Sequence, residues 1–201
     1  MTAALLIRAA LPGLSRAARV AGVAFCLVVR TQTAGIYPLT LTLDAHVKTA
    51  TASAQSSVTI RVDRLMEESR RTRVMDALNR GGYTNFLPAL RALPAVGSIG
   101  VGARTVNIKY AREQPDGDGR RLVLVGDRPL VFVGGDPAQS RDGYQLTIVD
   151  LRFDAAGGVT GTMAGAARVK PAPDGGVIVD DYAEAPVQLT GSIGKPKSDE
   201  H

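Results

Sequence analysis

Apolar and polar residues alternate over most of the chain after residue 57, which is the pattern of half-buried β-strands. Ser57–Leu65 shows it first, with a branched apolar residue at every second position. Six similar segments follow: Thr105–Glu113, Arg120–Gly126, Pro129–Val133, Tyr144–Asp154, Val159–Lys170 and Val177–Thr190. Short turns rich in Gly, Pro and Asp separate them, so successive strands are antiparallel neighbours. The pattern predicts a meander of about seven strands.

Two helices are predicted between the first strand and the rest of the meander. Met66–Arg80 is rich in helix formers and is followed by Gly81-Gly82, a typical helix end. Thr84 or Asn85 can cap a second helix that ends before Pro94. The fold class is therefore α+β, with two short helices packed against the sheet or closing one end of it.

The sheet is expected to be strongly curved. In Tyr144–Asp154 the apolar residues change face near Ile148, which a bulge or sharp coil would explain. Gly161 and Gly165 in the next strand also favour a bend. The architecture predicted is a curved antiparallel sheet that forms a half or closed barrel.

The first residues have the order of an export signal. Three arginines precede the apolar run Val20–Val29, which is shorter than the roughly 20 residues of a membrane span. Ala52-Ser53-Ala54 before Gln55 is a small-x-small cleavage site, although it lies far from the apolar run. Ala34 lies closer, but Gln32 occupies a position that should be small.

The preferred interpretation divides the chain at Ala54. Residues 1–54 are a signal peptide with a pro-segment, residues 55–194 form one β-rich domain, and residues 195–201 are a polar tail. A chain beginning at Gln55 is then expected to fold cooperatively. The mature protein is expected in the periplasm or outside the cell.

Charge argues against a nucleic-acid partner. The formal net charge is +5, but five of the 24 basic residues and one of the 19 acidic residues lie in residues 1–54. Residues 55–201 therefore carry only +1 and lack the basic stripe that nucleic-acid binding needs. The predicted domain has neither a nucleic-acid site nor a transmembrane span.

Familiar catalytic and metal chemistry lacks its residues. The two histidines, His46 and His201, lie in the predicted pro-segment and the tail, and the one cysteine, Cys26, lies in the leader. Serine or cysteine triads and zinc sites are therefore not expected, and no cofactor, metal or catalytic residue is assigned. Acid–base chemistry by carboxylates alone stays open, with these candidates: Asp150, Asp154, Asp180, Asp181 and Glu184.

The hairpin around Gly117 supplies the candidate binding residues. A register symmetric about Gly117 places Tyr110 and Arg112 on the face of Leu124 and Arg128, so that Tyr110 packs on Leu124 and Arg112 is partly exposed. On the other face, Glu113 would pair with Arg121.

Tyr110, Arg112 and Arg128 could then be the polar groups of an apolar pocket for an amphipathic or anionic ligand. The alternative is that both arginines lay their stems on the edge of the core and keep their heads in water.

The region Val58–Thr190 shows a resemblance to other proteins, which is carried by the strand–helix opening and by the segments Tyr110–Pro115 and Asp127–Leu130. It resembles a loose group of small uncharacterised exported bacterial proteins. The resemblance implies export and a bacterial source, and it implies no activity.

The function expected from these patterns is that of an exported, non-enzymatic envelope protein binding a small apolar or amphipathic ligand in a curved sheet. One alternative is a protein-interaction module that offers a sheet edge, with Pro129–Val133 as the candidate strand. The other is a carboxylate-dependent hydrolase, which needs two converging acidic side chains.

Overall fold

The computed structural model describes residues 35–48, 53–130, 132, 142–182 and 185–193. These residues form nine strands and one helix. In chain order the elements are β1 Leu39–Lys48, β2 Ser53–Val62, α1 Glu68–Arg91, β3 Gly97–Val101, β4 Arg104–Asp116, β5 Gly119–Gly126, β6 Leu146–Phe153, β7 Gly158–Pro171, β8 Val177–Tyr182 and β9 Val187–Ser192. No helix in the described ranges has both the length and the apolar character of a membrane span.

Eight of the strands close into an antiparallel barrel. The order around it is β6-β5-β4-β3-β2-β1-β9-β7, and pairing of β7 with β6 completes the circle. The ninth strand, β8, lies outside this circle because β7 is long. The first part of β7, Gly158–Met163, pairs with β9. The last part of β7, Ala167–Pro171, pairs with β8 on the same side. A curved antiparallel sheet was predicted, and a closed barrel is found.

Strand β1 corrects the predicted start of the domain. All ten of its residues pair with β2, and Asp44–His46 also pair with β9. Buried and exposed residues alternate strictly along it, because Leu and Val face the barrel interior while Thr faces outward. The folded domain therefore includes residues well before Gln55, and a cut at Ala54 would remove the strand that closes the barrel. Residues 1–34, which include most of the predicted signal peptide and its apolar run, lie outside the described residues.

The strand count also differs from the predicted seven. Strands β1 and β3 were not expected, and the segment Val177–Thr190 contains both β8 and β9. Pro129–Val133 is not a strand where it is described. Its Leu130 is instead buried in the core, with its amide donating to the carbonyl of Gly165 at 2.8 Å. The edge strand proposed there is therefore wrong.

The two predicted helices are one element with a kink. Gly82 has φ 62° and ψ −158°, a conformation outside the helical region, and helix resumes directly after it. The double glycine thus bends the helix without ending it. Leu78 before the kink and Phe86 after it are both buried against the barrel, so one apolar face continues across the bend.

The barrel has a core on each side of its wall. One apolar cluster fills the interior and includes Ile108, Leu124 and Phe153. A second lies outside the wall, where α1 and β8 cover the outward residues of β4–β7, among them Tyr110 and Val125. Apolar residues therefore occupy both faces of these strands, as in other sheets that are covered on both sides.

The double core also explains the change of apolar face at Ile148. Leu146 and Ile148 point outward under the cover, whereas Val149 and Leu151 point inward, so β6 itself alternates regularly. A register shift is present at this point, between Leu146 and Ile148, and its extra residue lies on β7.

A bulge in β4 corrects the predicted register of the β4–β5 hairpin. Ile108 pairs with Gly126 as expected, but Tyr110 pairs with Val125, so Lys109 is an extra residue. Ala111, not Tyr110, lies opposite Leu124. Tyr110 and Leu124 are both fully buried, but they belong to the outer and inner cores. At the bulge, the ammonium of the partly buried Lys109 donates a hydrogen bond to the carbonyl of Leu93 at 2.6 Å, so this charge has a polar partner.

Removing β1 should prevent cooperative folding. A chain that begins at Gln55 exposes the edges of β2 and β9 and the interior face that β1 covers. We expect it to show a broad thermal transition by circular dichroism, whereas a control chain that begins at Gly35 shows a single sharp one. Equal cooperativity and equal midpoints for the two chains would contradict the assignment of β1 to the barrel.

Candidate functional site

A groove lies on the outer face of the barrel, between β8 and the barrel wall. Its volume is about 280 Å³. Its floor consists of outward-facing residues of the wall, namely Arg121, Val123, Ile148, Asp150, Thr162, Ala164 and Gln188. Its flank is formed by Val177, Ile178, Val179, Tyr182 and Pro186. We call it the β8 groove.

Strand register produces the floor. Val123, Asp150, Thr162 and Gln188 lie directly opposite one another across β5, β6, β7 and β9, so they form one row on the outer face. The next row toward α1 contains Ile148 opposite Ala164 and is apolar. The short side chains of Thr162 and Ala164 leave space above the wall at the point where the cover provided by β8 ends.

An ion pair sits at the polar end of the groove. Arg121 donates from Nε to Oδ1 of Asp150 at 2.8 Å and from Nη2 to Oδ2 at 2.6 Å, a bidentate arrangement. The hydrogen bond to Asp150 holds the pKa of Arg121 above its ordinary value. Among the described lining residues these two side chains are the only charged ones, so their charges balance.

The opposite end is apolar. Ile148, Ala164 and Val177 are each nearly inaccessible to solvent and belong to the outer core, as does Val123 beside Asp150. Tyr182 is 47% exposed, one of the few large apolar side chains on the described surface that water reaches. The groove thus joins an apolar surface to a polar, neutral one, which is the arrangement of sites that orient a ligand through a few polar groups.

The structure brings together only two of the three residues predicted as a site. Tyr110 is fully buried under α1 and the turn after β7. Arg112 lies beside it and donates from Nη1 to Oδ1 of Asp174 at 3.1 Å and from Nη2 to the carbonyl of Asp174 at 2.8 Å.

Arg128 is remote from this pair and none of the three lines the β8 groove. The Arg128 side chain is 61% exposed and lies beside Asp127, with 3.5 Å between Arg128 Nε and Asp127 Oδ1. Arg112 lies opposite Val123, and Arg128 is five residues further along the chain from Val123. The distance between the two arginines along the sheet is therefore roughly 15 Å. Their joint role in binding stays a prediction.

Arg121 is the groove residue that sequence analysis assigned wrongly. It was paired with Glu113, but Arg120 makes that ion pair, and Arg121 turns outward to Asp150. The cause is the turn, where Asp116 pairs with Gly119 around a two-residue loop, so the hairpin is centred half a residue beyond Gly117. The two-residue loop, favoured by the Gly117-Asp118 sequence, places Leu122 opposite Glu113 and Gln114 opposite Arg121, so Glu113 lies on the inner face, where Arg120 also lies.

The carboxylates considered for hydrolysis have structural partners. Asp150 pairs with Arg121, and Asp180 pairs with Arg168 and Lys170. Asp154 accepts from the amides of its own turn, and Asp181 accepts from the Tyr144 hydroxyl. Glu184 lies outside the described residues. Among the described parts of the chain, no three potential ligands are grouped to hold a metal ion.

No family model, curated protein or solved structure matches this chain. The resemblance to small exported bacterial proteins therefore stays a prediction.

The Tyr110 hydroxyl provides a test of the site predicted from sequence. Burial raises its pKa more than the nearby Arg112 guanidinium lowers it, and the hydroxyl makes no hydrogen bond of normal geometry to a described residue. Tyr110→Phe should therefore leave the free energy of unfolding unchanged or raise it by about 1 kcal/mol, because a buried hydroxyl without a partner is costly. Urea unfolding measures this. A loss of more than 1 kcal/mol would show that the hydroxyl bonds to a group such as Arg112.

Proposed function

We propose that the protein is an exported, non-enzymatic envelope protein that binds a small amphipathic ligand in the β8 groove. The observation that carries the proposal is the lining of the groove, where an apolar surface of Val123, Ile148, Ala164 and Val177 meets a neutralised Arg121–Asp150 pair. Export is the part of the proposal that the leader sequence supports.

The lining favours a ligand with a neutral polar head. Two of the three guanidinium nitrogens of Arg121 already donate hydrogen bonds to Asp150. An anion would therefore compete with an intact bidentate pair. An amide or hydroxyl head could instead bond to Asp150, Thr162 or Gln188 without displacing either charge. The volume lies near the lower limit of about 300 Å³ for drug-sized ligand pockets, so the ligand is small.

Binding outside the wall suits this barrel better than binding inside it. Interior residues from all eight barrel strands form one continuous apolar cluster. A barrel of eight strands has an interior just wide enough for its own side chains. The outer face has the small side chains, the polar row and the open side that a ligand needs.

A peptide partner is the second candidate. Among the described strands β8 pairs with β7 alone, so its other edge can accept a further strand. The exposed Tyr182 lies at the end of this strand. This edge takes the place of the one predicted at Pro129–Val133. The hydrolase alternative has less support, because each described candidate carboxylate is engaged in an ion pair or hydrogen bond.

Filling the groove should abolish binding without disturbing the core. Thr162 and Thr190 are both exposed on the outer face of barrel strands, but only Thr162 lines the β8 groove. We expect the neutral fluorescent probe N-phenyl-1-naphthylamine to bind the wild-type protein saturably. Thr162→Trp should weaken it at least tenfold, about 1.4 kcal/mol, and the matched control Thr190→Trp should leave its Kd unchanged.

Two outcomes would decide against the groove. Equal affinity for the Thr162→Trp and Thr190→Trp variants would place the probe elsewhere, and absence of saturable binding to the wild type would remove the small-ligand proposal. Native mass spectrometry of the exported protein separates the candidates, since a retained small molecule favours the first and a retained peptide favours the second.

A further inference from the structure

Glu113 receives three hydrogen bonds at one end of the barrel. The Gly35 amide donates to Oε1 at 2.7 Å, the Tyr37 hydroxyl donates to Oε2 at 2.7 Å, and the Arg120 guanidinium pairs with Oε2. The Glu113 and Arg120 side chains are only 10% and 13% exposed. Burial by itself raises the pKa of Glu113, but these donors outweigh it and hold the pKa below its usual value. The Glu113 carboxylate therefore accepts hydrogen bonds from the segment that precedes β1.

Gly35 fits this acceptor because it has no side chain. A Cβ at this position would overlap the Arg120 guanidinium and the Glu113 carboxylate. The backbone nitrogen of residue 35 can thus approach Glu113 only if the residue is glycine or the ion pair moves. The contact joins residues 78 positions apart, so no local sequence pattern predicts it.

The barrel limits where the leader can be removed. The apolar run ends at Val29 and β1 begins at Leu39, so a cut that keeps the barrel whole falls between them. Ala34 supplies the small residue that signal peptidases require before the scissile bond, although Gln32, two residues earlier, is larger than usual. The bond after Ala34 is the one whose cleavage frees the nitrogen that Glu113 already holds.

We propose that the mature protein begins at Gly35, and that its new α-ammonium group forms an ion pair with Glu113. The inference rests on the proposed export and names its processing site. A signal-type peptidase adds water across the Ala34–Gly35 bond, so that Ala34 leaves with a carboxylate and the Gly35 nitrogen gains protons. The single amide donor becomes an ammonium with three donors and a full charge, so the contact with Glu113 strengthens after cleavage.

The first experiment locates the new terminus. The full chain is produced with its own leader in a bacterium that has a general secretory pathway, and the periplasmic protein is analysed by intact mass and N-terminal sequencing. We expect Gly35 as the first residue. Ala34→Leu should block processing at this bond, whereas Ala52→Leu, at the alternative site, should leave Gly35 as the terminus.

Other termini overturn the inference in distinguishable ways. A chain that starts at Ile36 or Gln55 is exported but processed elsewhere, so only the Gly35 assignment fails. A chain that still carries Met1 contradicts both the processing site and the proposed export. Ligand binding in the β8 groove is measured independently of these results.

The second experiment tests the ion pair. A succinimidyl ester should acylate the Gly35 amine of the processed protein at least tenfold more slowly when the protein is folded than in urea. Glu113→Gln should remove that protection, whereas Asp116→Asn, a change to a more exposed carboxylate of the same hairpin, should keep it. Equal rates for the folded and urea-unfolded wild-type protein would overturn the pair, even if Glu113→Gln proved too unstable to measure.

Discussion

Closure of the barrel by β1 is the constraint on which the rest of the structure depends. Backbone amides and carbonyls at a sheet edge need partners, and β1 supplies them to β2 on one side and to β9 on the other. Its inward residues, among them Leu41 and Leu43, also complete the interior core. Without β1, strands β2 and β9 would both have open edges, and the apolar interior face would be exposed.

Once the barrel is closed, its outer face decides where a ligand can bind. The helix and the β7–β8 hairpin cover the half of that face that carries Tyr110, Val125 and Leu146, and this half becomes a second core. The other half keeps polar residues such as Thr160 and Thr190 in contact with water. The β8 groove lies at the boundary, which explains why one end of it is apolar and the other contains the Arg121–Asp150 pair.

Local patterns predicted much of the fold. Alternation located most of β2, β4, β5, β6 and β7, whereas the double glycine, predicted to end a helix, only bends α1. Strand β1 alternates as clearly as any, but its position next to the predicted export signal led to its assignment as a pro-segment. The groove was harder to predict, because the strand that flanks it, β8, was assigned together with β9 to the single segment Val177–Thr190. The bulge at Lys109 and the two-residue turn were also missed, and they put Tyr110 and Glu113 on the opposite faces from those predicted.

The most direct test of barrel closure by β1 is native-state hydrogen exchange of the unmodified chain. If β1 closes the barrel, its hydrogen-bonded amides, such as those around Leu41 and Leu43, should exchange only through global unfolding, with the same opening free energy as the amides of Leu122–Leu124 in β5. Opening of β1 at a free energy several kcal/mol lower, while β5 stays protected, would show that the strand is an appendage and that the barrel does not depend on it.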